Sequence, residues 1–233
     1  MKDPLREKIP HQEALPLKIQ DRGGFDTFVV GTSALIDQLK SSVSTGEYEF
    51  YFVSGPKGSG KSHLLSALSR MVSGAFCVDM CLAGQFSPEF IDVRLPALTL
   101  IDNVEAIAGD EQWELALFAL FNRWYDSQRG MLVISSSETF DKVPFLRADL
   151  NTRMGSGISV RLNPLEGEDR VKALMLRAKS RGFTLPESAA AFMVKHCRGN
   201  MSDLIAMLDQ IDNAQLQEMR GITVPFVKKV LNI

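Results

Sequence analysis

A chain of 233 residues, 45% hydrophobic and 23% charged, has room for one sizeable core with a smaller appendix, and its composition is that of an ordinary globular protein. No apolar run approaches the roughly 20 residues that cross a bilayer, and the charged N-terminus has no apolar segment behind it, which excludes a membrane span and a signal peptide. A net charge of −2 and a pI of about 6.0 supply no basic surplus of the kind that holds duplex DNA through its phosphates.

In chain order, residues 1–22 carry no sustained periodicity and read as a mobile arm. FDTFVVG (25–31) opens the folded part, and residues 33–43 have helical apolar spacing at Leu35, Ile36, Leu39 and Val43. YEFYFVSG (48–55) is an apolar, aromatic run ending in glycine, as a buried parallel strand requires, and residues 62–72 follow it as a helix. Further strands are expected at 75–80, 97–102 and 131–137, and ISVRLNPL (158–165) marks the point after which the pattern changes. The helix expected at 112–127 has apolar residues on most of its circumference and is expected to be largely buried. Strands alternating with helices imply an α/β domain with a parallel sheet covered on both faces.

Beyond residue 165 the pattern is helical only. One helix ends on Gly182 as a C-terminal cap, and a second starts with Pro186 in its first turn. A third starts at Asn200 with Asp203 three residues on, a spacing resembling a capping box, and a short helix over 224–232 ends the series. The expected organisation is an arm (1–22), an α/β domain (23–164) and a small helical lid (165–233). Cys77, Cys81 and Cys197 suit free thiols in a reducing cytoplasm, read as small buried apolar residues rather than metal ligands.

GPKGSGKS (55–62) fits G-x-x-x-x-G-K-[ST] between an expected strand and an expected helix, the context that gives this motif its chemistry. Gly55, Gly58 and Gly60 allow torsions that turn backbone N–H groups toward one point, with Pro56, Lys57 and Ser59 completing the loop. The helix that follows adds its positive end; Lys61 would reach the outer phosphates of a nucleotide and Ser62 would ligate Mg²⁺. LTLID brings Asp102 to a strand end, where it would hold the Mg²⁺ shell. Asn103 follows where many ATPases carry a second carboxylate; an amide cannot accept the proton of an attacking water, so slow turnover by this chain alone is expected unless Glu105 substitutes.

These segments resemble the AAA+ module of the bacterial replication initiator DnaA, and more closely its short regulatory relatives, the Hda family, which implies an α/β P-loop NTPase fold with a parallel five-stranded sheet and a small C-terminal helical lid. FDTFVVG is similar to the segment that lines the adenine pocket, which implies a role for Val30; GPKGSGKSHLL is similar to Walker A and takes in His63. LTLIDNVEAI resembles Walker B, LVISSS the sensor-1 strand (with Ser135 and Ser136 both open as the sensor), and DLNTRMGSGISVRLNPLEGEDR the box that carries an arginine finger, at Arg153. The resemblance runs from about residue 24 to Ile233, where the chain stops before the initiator's helix-turn-helix would begin, so sequence-specific DNA binding is not expected. It further implies that HQEALPL, through Gln12, Leu15, Pro16 and Leu17, grips the β subunit of the DNA polymerase sliding clamp. The residues suit that role, because Pro16 keeps Leu15 extended and both leucines are free to fill an apolar pocket. Where the family's sensor-2 arginine is expected, this sequence has Ser202, with Arg198 nearby.

The implied function is a cytoplasmic regulator that holds ADP (or ATP) with Mg²⁺, docks on the clamp and offers Arg153 to ATP held by DnaA. The alternatives are a self-sufficient AAA+ ATPase of the clamp-loader or DNA-remodelling type, a P-loop kinase for a small metabolite, which would need an arginine-rich lid, and a direct DNA-binding protein.

Overall fold

The computed structural model describes residues 23–29, 34–218 and 221–233. Helix α1 (Ala34–Thr45) leads into β1 (Phe50–Ser54), α2 (Lys61–Ser69) and β2 (Phe76–Asp79). Two short 3₁₀ helices (Met80–Gln85 and Pro88–Ile91) precede β3 (Leu98–Asp102), and a third (Val104–Ile107) follows it. Next come α3 (Glu111–Ser127), β4 (Met131–Ser136), α4 (Ala148–Met154) and β5 (Ile158–Arg161). The chain ends in four helices, α5 (Gly167–Ser180), α6 (Glu187–His196), α7 (Met201–Glu218) and α8 (Val224–Leu231).

The five strands form one parallel sheet in the order β2-β3-β4-β1-β5. Every residue of β1, β3 and β4 is buried, as expected when helices cover both faces of a sheet. Alternation divides their side chains between two cores. Phe50, Phe52, Ile101, Leu132 and Ile134 pack with Leu117, Leu120, Phe121 and Trp124 of α3. Tyr51, Val53, Leu100 and Val133 pack on the opposite face with Leu39 of α1 and Leu64, Leu65 and Leu68 of α2.

Helix α3 is not apolar all round in practice: its buried stripe is Trp113, Glu114, Leu117, Leu120, Phe121 and Trp124, while Leu115 and Tyr125 are more than half exposed. The helix meets the sheet along a single stripe, so residues off that stripe face outward whatever their hydrophobicity.

The last four helices enclose a separate core of Leu174, Ala178, Leu185, Ala190, Met193, Leu204, Leu208, Ile211 and Val227. Their ends follow the sequence signals closely. Gly182 (φ +88°) donates to Lys179 O at 3.0 Å and Phe183 N to Ala178 O at 3.2 Å, the paired bonds of a Schellman turn. Asn200 and Asp203 cap α7 reciprocally, with Asn200 N donating to Asp203 Oδ2 at 2.8 Å and Asp203 N to Asn200 Oδ1 at 3.3 Å. Pro186 differs from expectation; it is the N-cap of α6 and does not enter the first turn.

Candidate functional site

Parallel strands place all their C-terminal ends on one edge of the sheet, and a crevice opens there where neighbouring strands diverge to opposite sides. In this fold Ser54, Asp79, Asp102 and Ser136 all come to that edge, with Ser54 level with Ser136 and Asp79 level with Asp102. The glycine-rich loop 55–60 leaves β1 at the same edge and enters α2 through Gly60, its N-cap, in left-handed geometry (φ +97°) without a side-chain cap. The first backbone bond of α2 runs from Leu64 N to Gly60 O at 2.8 Å, so the N–H groups of Lys61, Ser62 and His63 precede the helical ladder and are donors for an anion.

Lys61 is only 6% exposed, and its Nζ donates to Gly55 O at 2.6 Å and Pro56 O at 3.3 Å, holding the ammonium within the loop's concavity. Gly58 (φ +82°) meets the lid: a Cβ there would lie 2.8 Å from Asn200 Oδ1 and 2.9 Å from Asn200 Cβ. The N-terminus of α7 thus packs directly on the loop, and any side chain at position 58 would push it away.

Two cavities meet here. The inner one, about 480 Å³, is lined by Lys57, Gly58, Gly60, Lys61, Ser62, Asp79, Cys81, Asn103, Glu105, Ser137 and Ser202. The outer one, about 270 Å³, lies between Thr27, Phe28, Val29 and His63 on one side and Arg177, Met201, Ser202, Ile205 and Asp209 of the lid on the other. Ser202 lines both. His63 Nε2 lies 3.1 Å from Thr27 Oγ1, and its ring meets Phe28 edge-on at 5.2 Å between centroids. Asp209 is paired with Arg181. Along α7, Ser202 and Asp209 are about 10 Å apart at 1.5 Å of rise per residue, so the combined space has a polar, lysine-bearing end and a mostly apolar, aromatic end separated by roughly the length of a nucleoside.

At the polar end, Asp102 is fully buried and its Oδ1 accepts a hydrogen bond from Ser135 Oγ. Asn103 is left-handed (φ 55°, ψ 49°); its N–H donates to Ser135 Oγ at 3.1 Å and its Nδ2 to Asp79 Oδ1 at 2.9 Å. Glu105 Oε1 accepts from Ser137 N at 2.9 Å, while its Oε2 is buried with no hydrogen-bond partner among the described residues. The Ser59 hydroxyl is likewise buried with no hydrogen-bond partner among the described residues. Hydroxyl and carboxylate oxygens are the donor set a hard divalent cation takes, so Ser62, Asp102 and Glu105 fit Mg²⁺ in chemical type.

The sequence-derived loop residues 55–63 and Asp102 therefore come together at one edge. Val30, Gln12, Leu15, Pro16 and Leu17 lie outside the described residues. Ser135 bonds Asp102 and Ser136 Oγ accepts from Glu138 N at 3.1 Å, yet of the three serines 135–137 the one that lines the inner cavity is Ser137. Asp79, Cys81 and Ser137 were not legible as site residues, because nothing local marks them; the sheet register brings them in. Arg198 is exposed and lines neither cavity. Among the described residues, no cluster of three or more His, Cys, Asp or Glu side chains suits a metal, and no helix is long and apolar enough to cross a membrane.

Cys81 is an exposed residue, contrary to the expectation of a buried apolar role. Its thiol is pushed up to about 11, first by desolvation and then by the charge and hydrogen bond of Asp79, with Glu105 and Asp102 adding to it. At pH 8 a rise from 9.0 to about 11 leaves about 100-fold less thiolate, and the greater nucleophilicity of that thiolate returns about ten-fold. Iodoacetamide should thus label Cys81 about ten-fold more slowly than an unstructured cysteine at pH 8, with labelling accelerating as pH rises toward 11. Peptide mass spectrometry over time checks this; labelling at the unstructured rate would contradict the acidic surroundings.

Arg153 lies outside both cavities, near the end of α4. Its guanidinium stands 4.9 Å from the ring centroid of Phe118 and 5.3 Å from that of Phe121 on α3, and it forms no ion pair with a described residue.

Residues 167–231 match the family model described as the Hda lid domain. Across 90% of this chain and 95% of the other, the structure is similar to domain III of the Thermotoga maritima replication initiation protein DnaA, with a TM-score of 0.76 at 22% identity. AMPPCP-bound DnaA from Aquifex aeolicus is similar over 79% of this chain and 63% of its own, with a TM-score of 0.64 at 20% identity. The Thermotoga maritima RuvB Holliday junction branch migration motor is similar over 92% of this chain and 73% of its own, with a TM-score of 0.67 at 15% identity.

Proposed function

We infer that this chain, which carries an Hda-type lid on an AAA+ core of DnaA-like fold, is a regulator of replication initiation that keeps ADP in its own site and promotes hydrolysis of ATP held by the initiator DnaA. The cavity pair supports a purine nucleotide, its phosphates on loop 55–62 and its base between Phe28, His63 and the lid. Mg²⁺, held by Ser62 and the Asp102 shell, would neutralise phosphate charge when bound.

One contrast carries the reading. In the chain's own site the residue after Asp102 is an amide already engaged with Asp79, and the lid residue that lines the inner cavity is Ser202, which supplies no charge. Arg153, by contrast, sits on an aromatic platform outside that site, with no carboxylate of a described residue paired to it. The groups for chemistry on a bound ATP are reduced, while a cation suited to a neighbour's ATP is retained. An arginine supplied in trans stabilises charge building on the transferred phosphoryl group.

Clamp docking through Gln12, Leu15, Pro16 and Leu17 completes the proposal and rests on the sequence of the arm. Hydrolysis should be negligible for the chain alone and appear when DnaA loaded with labelled ATP and clamp-loaded DNA are both present. Replacing Gln12, Leu15 and Leu17 together by alanine should abolish clamp binding and the clamp-dependent part of hydrolysis. Clamp binding retained by that variant, measured by surface plasmon resonance, would remove the arm from the mechanism.

A second reading, a self-sufficient ATPase, is favoured by one observation: Glu105 Oε2 is buried at the inner cavity with no hydrogen-bond partner among the described residues and is chemically able to polarise a water. Multiple turnover of ATP by the purified chain alone, lost in Glu105→Gln, would favour it.

A further inference from the structure

Glu114 is fully buried, and no step above uses it. It lies in the first turn of α3, and its carboxylate accepts three backbone N–H groups: Gly109 at 2.8 Å and Leu146 at 2.9 Å on Oε1, and Arg147 at 3.0 Å on Oε2. Leu146 and Arg147 are the two residues that lead into α4, and Arg147 is its N-cap, with no side-chain cap of its own. In a capping box the third residue of a helix, a glutamate or glutamine, takes the N-cap N–H. In α4 that third residue is Leu150, which is buried and has no acceptor to offer. Glu114 supplies the missing acceptor from another helix.

The same face of α3 holds the other end of α4. Phe118 is one turn beyond Glu114 and Phe121 nearly two, and Arg153 stacks over both. A helix of seven residues has no independent stability, so its orientation is set by what holds it: Leu150 and Met154 in the core, Asn151 on Phe140 O and Val143 O, and the contacts at its two ends. From this juxtaposition we propose that Glu114 is the positioning residue for Arg153: its bonds to Leu146 N and Arg147 N fix the entry of α4 and thereby the reach of the guanidinium toward a partner's nucleotide. The proposal rests on the reading of Arg153 as the group presented in trans.

Glu114→Gln tests it with almost no change in size. The amide oxygen can keep the bonds from Gly109 and Leu146, but its NH₂ then faces the Arg147 N–H, donor against donor. At saturating concentrations of the variant, single-turnover hydrolysis of ATP on DnaA should slow roughly ten- to hundred-fold, the scale expected when a reacting group is misplaced by about an ångström. The concentration giving half-maximal stimulation and the thermal stabilisation by ADP should stay unchanged. Amide exchange should accelerate in a peptide covering 144–153 and not in the loop 55–62.

Arg153→Ala is run in parallel. If it loses stimulation and Glu114→Gln does not, the positioning role falls and the finger stands; if both stimulate like the parent, the two readings fall together. Should Glu114→Gln not fold, Glu114→Asp, one methylene too short to span the same donors, carries the same measurements. Loss of ADP-dependent stabilisation or of folding in both variants would assign Glu114 to the core as a whole and overturn the proposal.

Discussion

Arg153→Ala is expected to lose nearly all stimulation of ATP hydrolysis on DnaA, on the order of a thousand-fold or more, since an arginine finger contributes on the order of 10³–10⁵ in rate. Only a contact made in the partner's transition state disappears, so ADP binding and clamp binding should persist. The structure adds a structural cost. The guanidinium stands over Phe118 and Phe121, and removing those ring contacts forfeits about 1 kcal/mol. A chain of this size should then melt about 2–4 °C lower, well short of unfolding. Lysine at this position should recover the melting temperature better than the activity: an ammonium also lies well over an aromatic face, but lacks the planar fork that meets two phosphate oxygens. Single-turnover hydrolysis of labelled ATP preloaded on DnaA, with clamp-loaded DNA present, measures this. Undiminished stimulation by Arg153→Ala would remove the finger and favour the self-sufficient ATPase.

Lys61→Ala is expected to abolish nucleotide-dependent stabilisation. A ligand at a hundred times its dissociation constant stabilises the folded state by about 2.7 kcal/mol, which corresponds to a rise of roughly 5–11 °C for a chain of this length. Lys61 bonds Gly55 O and Pro56 O, so the variant will also have a lower baseline; the quantity to compare is the increment that ADP adds to each protein. That increment should fall to near zero in Lys61→Ala and persist in Arg153→Ala. A full increment in Lys61→Ala, read by differential scanning fluorimetry, would place the nucleotide elsewhere.

The strands and the loop between the first strand and its helix were legible in the sequence because their determinants are local. Buried parallel strands need unbroken apolar runs, and an anion cradle needs glycines and a lysine at fixed offsets before a helix. The capping pair Asn200–Asp203 and the Gly182 turn are local for the same reason, each satisfied within one helix end. Helix α4 was not legible: its seven residues carry no periodic stripe long enough to recognise, and the acceptor that caps it is more than 30 residues away in α3. Ser137, Asp79 and Cys81 enter the site only because β2, β3 and β4 lie side by side in register, a relation that no segment states by itself. Likewise the sequence determined that Asn103 and Ser202 stand where charged groups were expected, but only the fold decided that Asn103 is held by Asp79 and that Ser202 lines both cavities. The physical reason is the range of the forces involved: torsional preference, periodic burial and capping act within a few residues, whereas a site at the edge of a sheet and a cation on an aromatic platform exist only once distant strands and helices have packed.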